Sequence, residues 1–174
     1  NMPLLTRLIR DTRVAFDEIG KQRGKSIGLA VRVPNTVAGA RGLGCDVPAW
    51  IEEDIVDIVI PSTFFNADLE ENISEWAELA RNTPVRITPA FEEGYFAGHT
   101  GGVTRGLMPP TMLPLTVEMI YAVAARHWQN GADGFYVFNW FGTAPTYDYD
   151  NRKAVDNMAD PLRLKYQNKR YVVM

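Results

Sequence analysis

The sequence holds a single cysteine, Cys45, among 174 residues. One thiol cannot close an intrachain disulfide, so a disulfide framework and a cysteine-rich zinc site are both excluded, while the redox compartment stays open. The two histidines, His99 and His127, stand at unrelated positions and give no metal-ligand spacing. Asp148, Asp150 and Asp156 form a loose acidic group that reads as solvated rather than as a calcium loop. No metal and no other cofactor is expected. No apolar run approaches the ~18 residues of a membrane-spanning helix, and the chain enters helical periodicity at once, without a signal-peptide pattern. Basic residues are scattered, 18 Lys and Arg against 21 Asp and Glu for a net charge of −3, which argues against a nucleic-acid surface. Neither nucleic acid nor membrane is an expected partner. The Gly-x-Ser-x-Gly elbow of serine hydrolases is missing. The glycines from Gly39 to Gly44 come after a loop rather than a strand, and those around His99 lack the lysine of a phosphate-binding loop.

What is present is ordinary globular composition, 46% hydrophobic and 22% charged, over a length that suits one domain or most of one. The pattern alternates. Residues 3–20 place Leu5, Leu8, Ile9, Phe16 and Ile19 at helical spacing, and Gly20 is a stop. Residues 26–33 read as a strand, with Ile27, Leu29, Val31 and Val33 on one face and Gly28, Ala30 and Arg32 on the other. A short helix fits 47–53, with Asp46 at the N-cap and Pro48 in the first turn. The second strand, 56–60, is stopped by Pro61-Ser62, and a helix over 68–81 turns Leu69, Ile73, Trp76, Ala77 and Ala80 to one side. The third strand is 85–91, and a Gly- and Pro-rich loop covers 93–113. A helix over 116–130 points Met119, Ile120, Val123, Ala124, His127 and Trp128 inward, and the fourth strand, 133–140, comes after Gly131. The polar tail from Tyr147 is helical in its middle.

Strands alternating with helices predict an α/β unit over 1–174, with four parallel strands in the order 1-2-3-4. Such strands suit a small open doubly wound sheet or half of a (β/α)8 TIM barrel. Two features favour the half-barrel. The face opposite the aliphatics carries small and polar residues towards the strand ends, as a barrel interior does near its mouth. The loops after strands are also longer than those before them, and carboxyl-terminal loops are where such folds place function. Half a barrel leaves open strand edges, so pairing with an amino-terminal half-barrel or with another copy of the chain is expected.

Four places carry candidate chemistry. Glu92 ends the third strand on the same face as Thr88 and Ala90, where a carboxylate can act as nucleophile or proton-transfer group in glycoside hydrolysis; a loop cap or an ion pair with Arg32 or Arg86 is the structural alternative. Arg32 has the same orientation and offers a fork of donors to a carboxylate or a sugar hydroxyl, or else sits in a buried ion pair. Asn139 and Trp140 close the last strand's run, Trp140 as a platform for the apolar face of a sugar or as core; Phe135 to Phe138 read as core packing. His99 borders the site on its glycine-rich loop.

Three stretches, SIGLAVRVPN (26–35), GCDVPAWIEEDIVDIVIPS (44–62) and GADGFYVFNW (131–140), resemble the carboxyl half of a family of bacterial glycoside-hydrolase-like TIM-barrel proteins. The resemblance implies barrel strands five to eight, with Glu92 at the end of strand seven, where many retaining glycosidases of this type place the nucleophile. It also implies that the acid/base lies at the end of strand four, upstream of Asn1. Hydrolysis of O-glycosidic bonds in a glycan is then expected of the complete barrel rather than of this chain alone. Carbohydrate is the implied ligand, contacted by Arg32, Asn139, Trp140 and His99. A non-catalytic carbohydrate-binding or structural relative, and a barrel enzyme acting on a phosphorylated metabolite, stay open beside it.

Overall fold

Proline and aspartate set where the strands of this chain begin, end and change partner. The computed structural model describes residues 2–63, 72–91, 94–96, 112–138 and 151–171. The chain opens with helix α1 (Met2–Arg23), whose Arg13–Asp17 pair at 2.7 Å and basic last turn of Lys21 and Arg23 suit a helix. Strand β1 (Ala30–Pro34) comes next, then α2 (Val37–Gly42) and α3 (Val47–Glu52). Thr36 caps α2 by accepting the Gly39 N–H, whereas Asp46 stands at the N-cap of α3 without a side-chain capping bond. Strand β2 (Ile58–Ser62) leads to α4 (Ser74–Ala80) and then to two short strands, β3 (Arg86–Ile87) and β4 (Ala90–Phe91). The rest is β5 (Gly94–Phe96), β6 (Met112–Pro114), α5 (Val117–Gln129), β7 (Tyr136–Val137), α6 (Asn151–Met158) and α7 (Pro161–Lys165). None of the described helices is long and apolar enough to cross a membrane.

The α/β class and the parallel sense of pairing agree with the alternating pattern, but four strands forming half of a TIM barrel do not. A three-stranded parallel sheet, β1-β2-β3, stands beside a separate two-stranded parallel pair, β4-β7, and an antiparallel pair, β5-β6. The cause is local. Pro89 has no N–H to give to a ladder, so the segment expected to be one strand is cut into two. Its first piece pairs with β2, Ile58 against Arg86 and Val59 against Ile87. Its second piece pairs with β7, Ala90 against Tyr136 and Phe91 against Val137. Two smaller differences accompany this one. Strand β2 runs on through Pro61 to Ser62, because Val33 and Pro34 of β1 keep pairing with both residues. The segment expected to be a loop carries β5 and β6 at its ends.

One device starts both parallel units. The Asp57 N–H donates to the Leu29 carbonyl at 2.9 Å, and its carboxylate accepts the Leu29 N–H at 2.5 Å. Asp133 treats Ile87 in the same way, at 2.9 and 2.8 Å. Each aspartate therefore satisfies both main-chain polar groups of the residue beside it, at the place where the ladder begins. Arg13 reinforces the first instance, donating to the Asp57 carboxylate at 2.9 Å and to the Ile27 carbonyl at 2.7 Å.

The helices lie on the face carried by Leu29, Val33, Val59 and Ile87, all of which enter one apolar core with Trp50, Ile73 and Trp76. Leu5, Ile9 and Phe16 of α1 pack on its margin, and Trp50 Nε1 donates to Thr6 Oγ1 at 2.9 Å. A second core joins Phe91, α5, Ala154 and Met158 of α6, and Leu164 of α7. Helix α5 is capped by Thr116 and ends at Gly131, whose φ of +94° suits glycine. A Cβ on Gly131 would lie 2.8 Å from the Ala77 Cβ, so this glycine also lets α4 approach the end of α5.

Candidate functional site

Parallel strands place their carboxyl ends at one edge, and here that edge gathers four described side chains. Arg32 stands level with Ile60 in the β1–β2 register. Its side chain leans across the end of β2, where Nε donates to Ser62 Oγ at 2.9 Å and Nη2 to the Thr63 carbonyl at 3.4 Å. The Ser62 hydroxyl accepts from Arg32 and donates to the Thr63 carbonyl at 2.8 Å, which suits a serine only 3% exposed. The guanidinium carbon lies 3.9 Å from the centre of the Phe138 ring, a cation–π stack of about 1 kcal/mol. Phe138 is brought there by β7, since its N–H donates to the Phe91 carbonyl at 3.0 Å. The Tyr136 ring stacks beside it, 6.3 Å away with 26° between the planes. Three separate strands thus hold one flat cationic group against one aromatic face.

Alternation along β7 decides which aromatics take part. Phe135 turns to the helix side and meets Phe91 at 5.1 Å and Trp128 at 5.3 Å, both edge-on. Tyr136 and Phe138 lie on the opposite side, and Tyr136 is 37% exposed. The sequence reading of the whole Phe135–Phe138 run as core therefore holds for the helix-side face of Phe135 and Val137, and not for Tyr136 and Phe138. In the sequence, Ser62 marks only the stop of a strand and Thr63 carries no signal of a role at the edge. The period-2 alternation that separates Tyr136 and Phe138 from Phe135 is the signal that identifies the two exposed-side rings.

Of the residues expected at the site, Arg32 is described and lies at this edge. Glu92, His99, Asn139 and Trp140 lie outside the described residues; Glu92 is the next residue after Phe91 in the chain, and Asn139 the next after Phe138. On the face shared by Arg32, Ser62, Thr88, Ala90, Tyr136 and Phe138, the described positions hold no Asp or Glu.

Other titratable groups stand apart from the edge. His127 is 1% exposed and meets the Phe91 ring edge-on at 5.8 Å. Burial, helped by the neighbouring Arg126 charge, pulls its pKa down to about 4, so it is neutral near pH 7 and belongs to the core. Burial pushes the Cys45 thiol up, away from the range of an activated nucleophile. Among the described residues no three His, Cys, Asp or Glu side chains gather as a metal-binding group.

The second anchor of this edge comes from α4. Trp76 Nε1 donates to the Asn35 carbonyl at 2.8 Å, fixing the chain directly after β1 and hence the stem from which Arg32 reaches. The arrangement offers a fixed planar donor group beside a half-open aromatic surface. No family model matches the sequence, and no curated protein matches it; the resemblance to glycoside-hydrolase-like proteins rests on the stretches 26–35, 44–62 and 131–140.

Proposed function

We propose that this chain recognises a glycan at the carboxyl ends of β1, β2 and β7, and that Glu92 serves hydrolysis of an O-glycosidic bond. The observation that carries the reading is the Arg32–Phe138 stack with Tyr136 beside it. A sugar ring has an apolar face that lies on an aromatic ring and a rim of hydroxyls that hydrogen-bond to polar groups, and this edge supplies both partners. The guanidinium is held by its bonds to Ser62 and Thr63 before any ligand arrives, which lowers the ordering cost of binding.

In the hydrolytic step the Glu92 carboxylate attacks the anomeric carbon while a second carboxyl group protonates the departing oxygen, and water then releases the sugar. Retention requires the two carboxyl groups about 5–5.5 Å apart, and inversion about 6.5–9.5 Å. The test is turnover of a panel of aryl glycosides by the full-length protein that carries this chain and by its Glu92→Gln variant. Loss of turnover by several orders of magnitude, with unchanged folding, is the expected result. Equal rates would remove Glu92 from the chemistry.

A second reading, carbohydrate binding without hydrolysis, is favoured by one observation: the described part of this face presents aromatic rings and an arginine but no carboxylate. Glycan binding without turnover of any glycoside would select it.

A further inference from the structure

Helix α1 meets the first core with only part of its apolar surface. Leu5, Ile9 and Phe16 pack on that core, whereas Leu4 and Leu8 are 70% and 58% exposed and Ile19 is 39% exposed. Ala15, also exposed, lies between Leu8 and Ile19 in the chain. At about 100° per residue, these four exposed positions fall within an arc of about 60°, a stripe beside the buried face. With Val14, α1 carries four of the nine large apolar side chains that the described residues leave exposed. Single surface apolar residues are ordinary, but a stripe along one helix marks an interaction face.

The order of residues along α1 is self-complementary. Leu4 and Ile19, and likewise Leu8 and Ala15, stand at equal distances on either side of the point between Asp11 and Thr12. An antiparallel copy of the helix therefore sets Leu4 against Ile19 and fits the large Leu8 to the small Ala15, each twice. One flank of the stripe carries Arg7, Asp11, Val14 and Glu18. Within one residue of the same midpoint, the antiparallel copy brings Arg7 opposite Glu18 and Asp11 opposite Val14. The Asp11 carboxylate, nearest the midpoint, has Arg7 of its own chain 3.7 Å away, which compensates its charge. Lys21 continues the flank and falls opposite Leu4. The other charges in the middle of the helix are turned to their own chain: Arg10 bonds Glu53, and Arg13 bonds Asp17 and Asp57. A parallel copy would instead oppose Arg7 to Arg7 and Glu18 to Glu18, which is disfavoured.

We infer that α1 is a homodimerisation surface, and that its partner is α1 of a second copy of this chain, packed antiparallel about a twofold axis through the midpoint of the stripe. The contact buries the stripe on both copies and leaves the Arg7–Glu18 pairs at its rim. At 22 residues the helix is about 33 Å long. One helix pair of that length lies at the small end of specific interfaces, so the dimer is reversible and forms at micromolar concentrations or above. Association with a second copy then rests on α1 rather than on an open strand edge, and it does not need binding at the strand ends.

The test is analytical ultracentrifugation of the full-length protein that carries this chain, over about 5 to 500 μM. The weight-average mass should rise reversibly from monomer towards dimer. Leu8→Asp sets two carboxylates against the apolar stripe and should weaken association about a hundredfold, with folding intact because Leu8 is exposed. Arg7→Glu and Glu18→Arg should each weaken it about tenfold, because both charged pairs become repulsive. Mixed in equal amounts, these two variants should associate as the parent does, since every pair between them again joins opposite charges. Weakening of each variant alone with recovery in the mixture identifies the Arg7–Glu18 pairing. A monomer throughout the range, association unmoved by Leu8→Asp, or a mixture no tighter than either variant alone would overturn the inference. So would a monomer that Leu8→Asp destabilises, since the stripe would then be covered within one chain.

Discussion

The two parallel units of this molecule start in the same way and develop differently. In the first, the Asp57–Leu29 bonds lead into five-residue strands, β1 and β2, in register from Ala30–Ile58 to Pro34–Ser62. In the second, the Asp133–Ile87 bonds precede two-residue strands, β4 and β7. The difference lies in the residues that come after the start of each ladder. Asp57 opens onto Ile58-Val59-Ile60, with Val31 level with Val59 and Val33 with Pro61, and these β-branched side chains suit a pleated surface. After Ile87 come Thr88 and Pro89, and the proline lacks the N–H that would join the Ile87 start to β4, so regular pairing with β7 begins only at Ala90. An aspartate can fix where a parallel pair begins, but its successors set how long the pair runs. The shorter second unit is also the one that brings Tyr136 and Phe138 to the edge where Arg32 waits.

The cores differ as well, and this gives the largest expected effect. Trp76 is completely buried in the first core and hydrogen-bonds the Asn35 carbonyl. Trp76→Ala should cost about 3–5 kcal/mol, read as a large fall in the urea midpoint. Because it also frees the chain after β1, binding at the strand ends should fall even in conditions where the variant stays folded. Unchanged binding in the folded variant would separate the core from the site.

Among the described residues, the buried histidine belongs to the second core. His127 has its pKa lowered from 6.5 to about 4, so the unfolded chain takes up a proton that the folded chain refuses. The stability held by the neutral ring is present above pH 6.5 and is lost as pH falls towards 4. The full loss is about 3 kcal/mol. Denaturation at pH 7 and pH 4.5 should show most of it, and His127→Phe should flatten the profile over that window. A variant with the same slope as the parent would place the pH dependence elsewhere.

The paired aspartates sharpen the comparison at smaller scale. Asp133→Ala leaves the Ile87 N–H without its acceptor, at a cost of about 1–2 kcal/mol. Asp57→Ala does the same to Leu29 and also strips Arg13 of a partner, although the Asp57 side chain is 51% exposed and that pair contributes little. The two costs should be similar, and the double variant additive, because the latches share no partner. A strong coupling between them would show that the two units fold as one ladder.

Much of the fold can be read from residue order. Helix α5 lies within one residue of its expected ends because Thr116 and Gly131 are unambiguous signals. The split of the third strand is hidden because the apolar alternation of Val85, Ile87 and Phe91 runs straight through Pro89, and periodicity does not register a missing N–H. For the site, strand-end position is enough to mark Arg32. Its partners Ser62, Thr63 and Phe138 come from two other strands, and only register brings them together.

The central claim, that a glycan binds at the carboxyl ends of these strands, is tested most directly by titrating the protein with a panel of oligosaccharides while tracking the amides of Thr63 and Phe138 by NMR. Arg32→Met and Tyr136→Ala are titrated in parallel. At least one oligosaccharide should shift both amides saturably. Each substitution should weaken binding about tenfold. Tyr136→Ala should change folding stability by less than about 1 kcal/mol, as expected of an exposed residue. Arg32→Met also gives up the Phe138 stack and the bonds to Ser62 and Thr63, so its binding is read where the variant stays folded. An unresponsive Thr63 and Phe138 across the panel, or variants that bind as the parent does, would contradict the account.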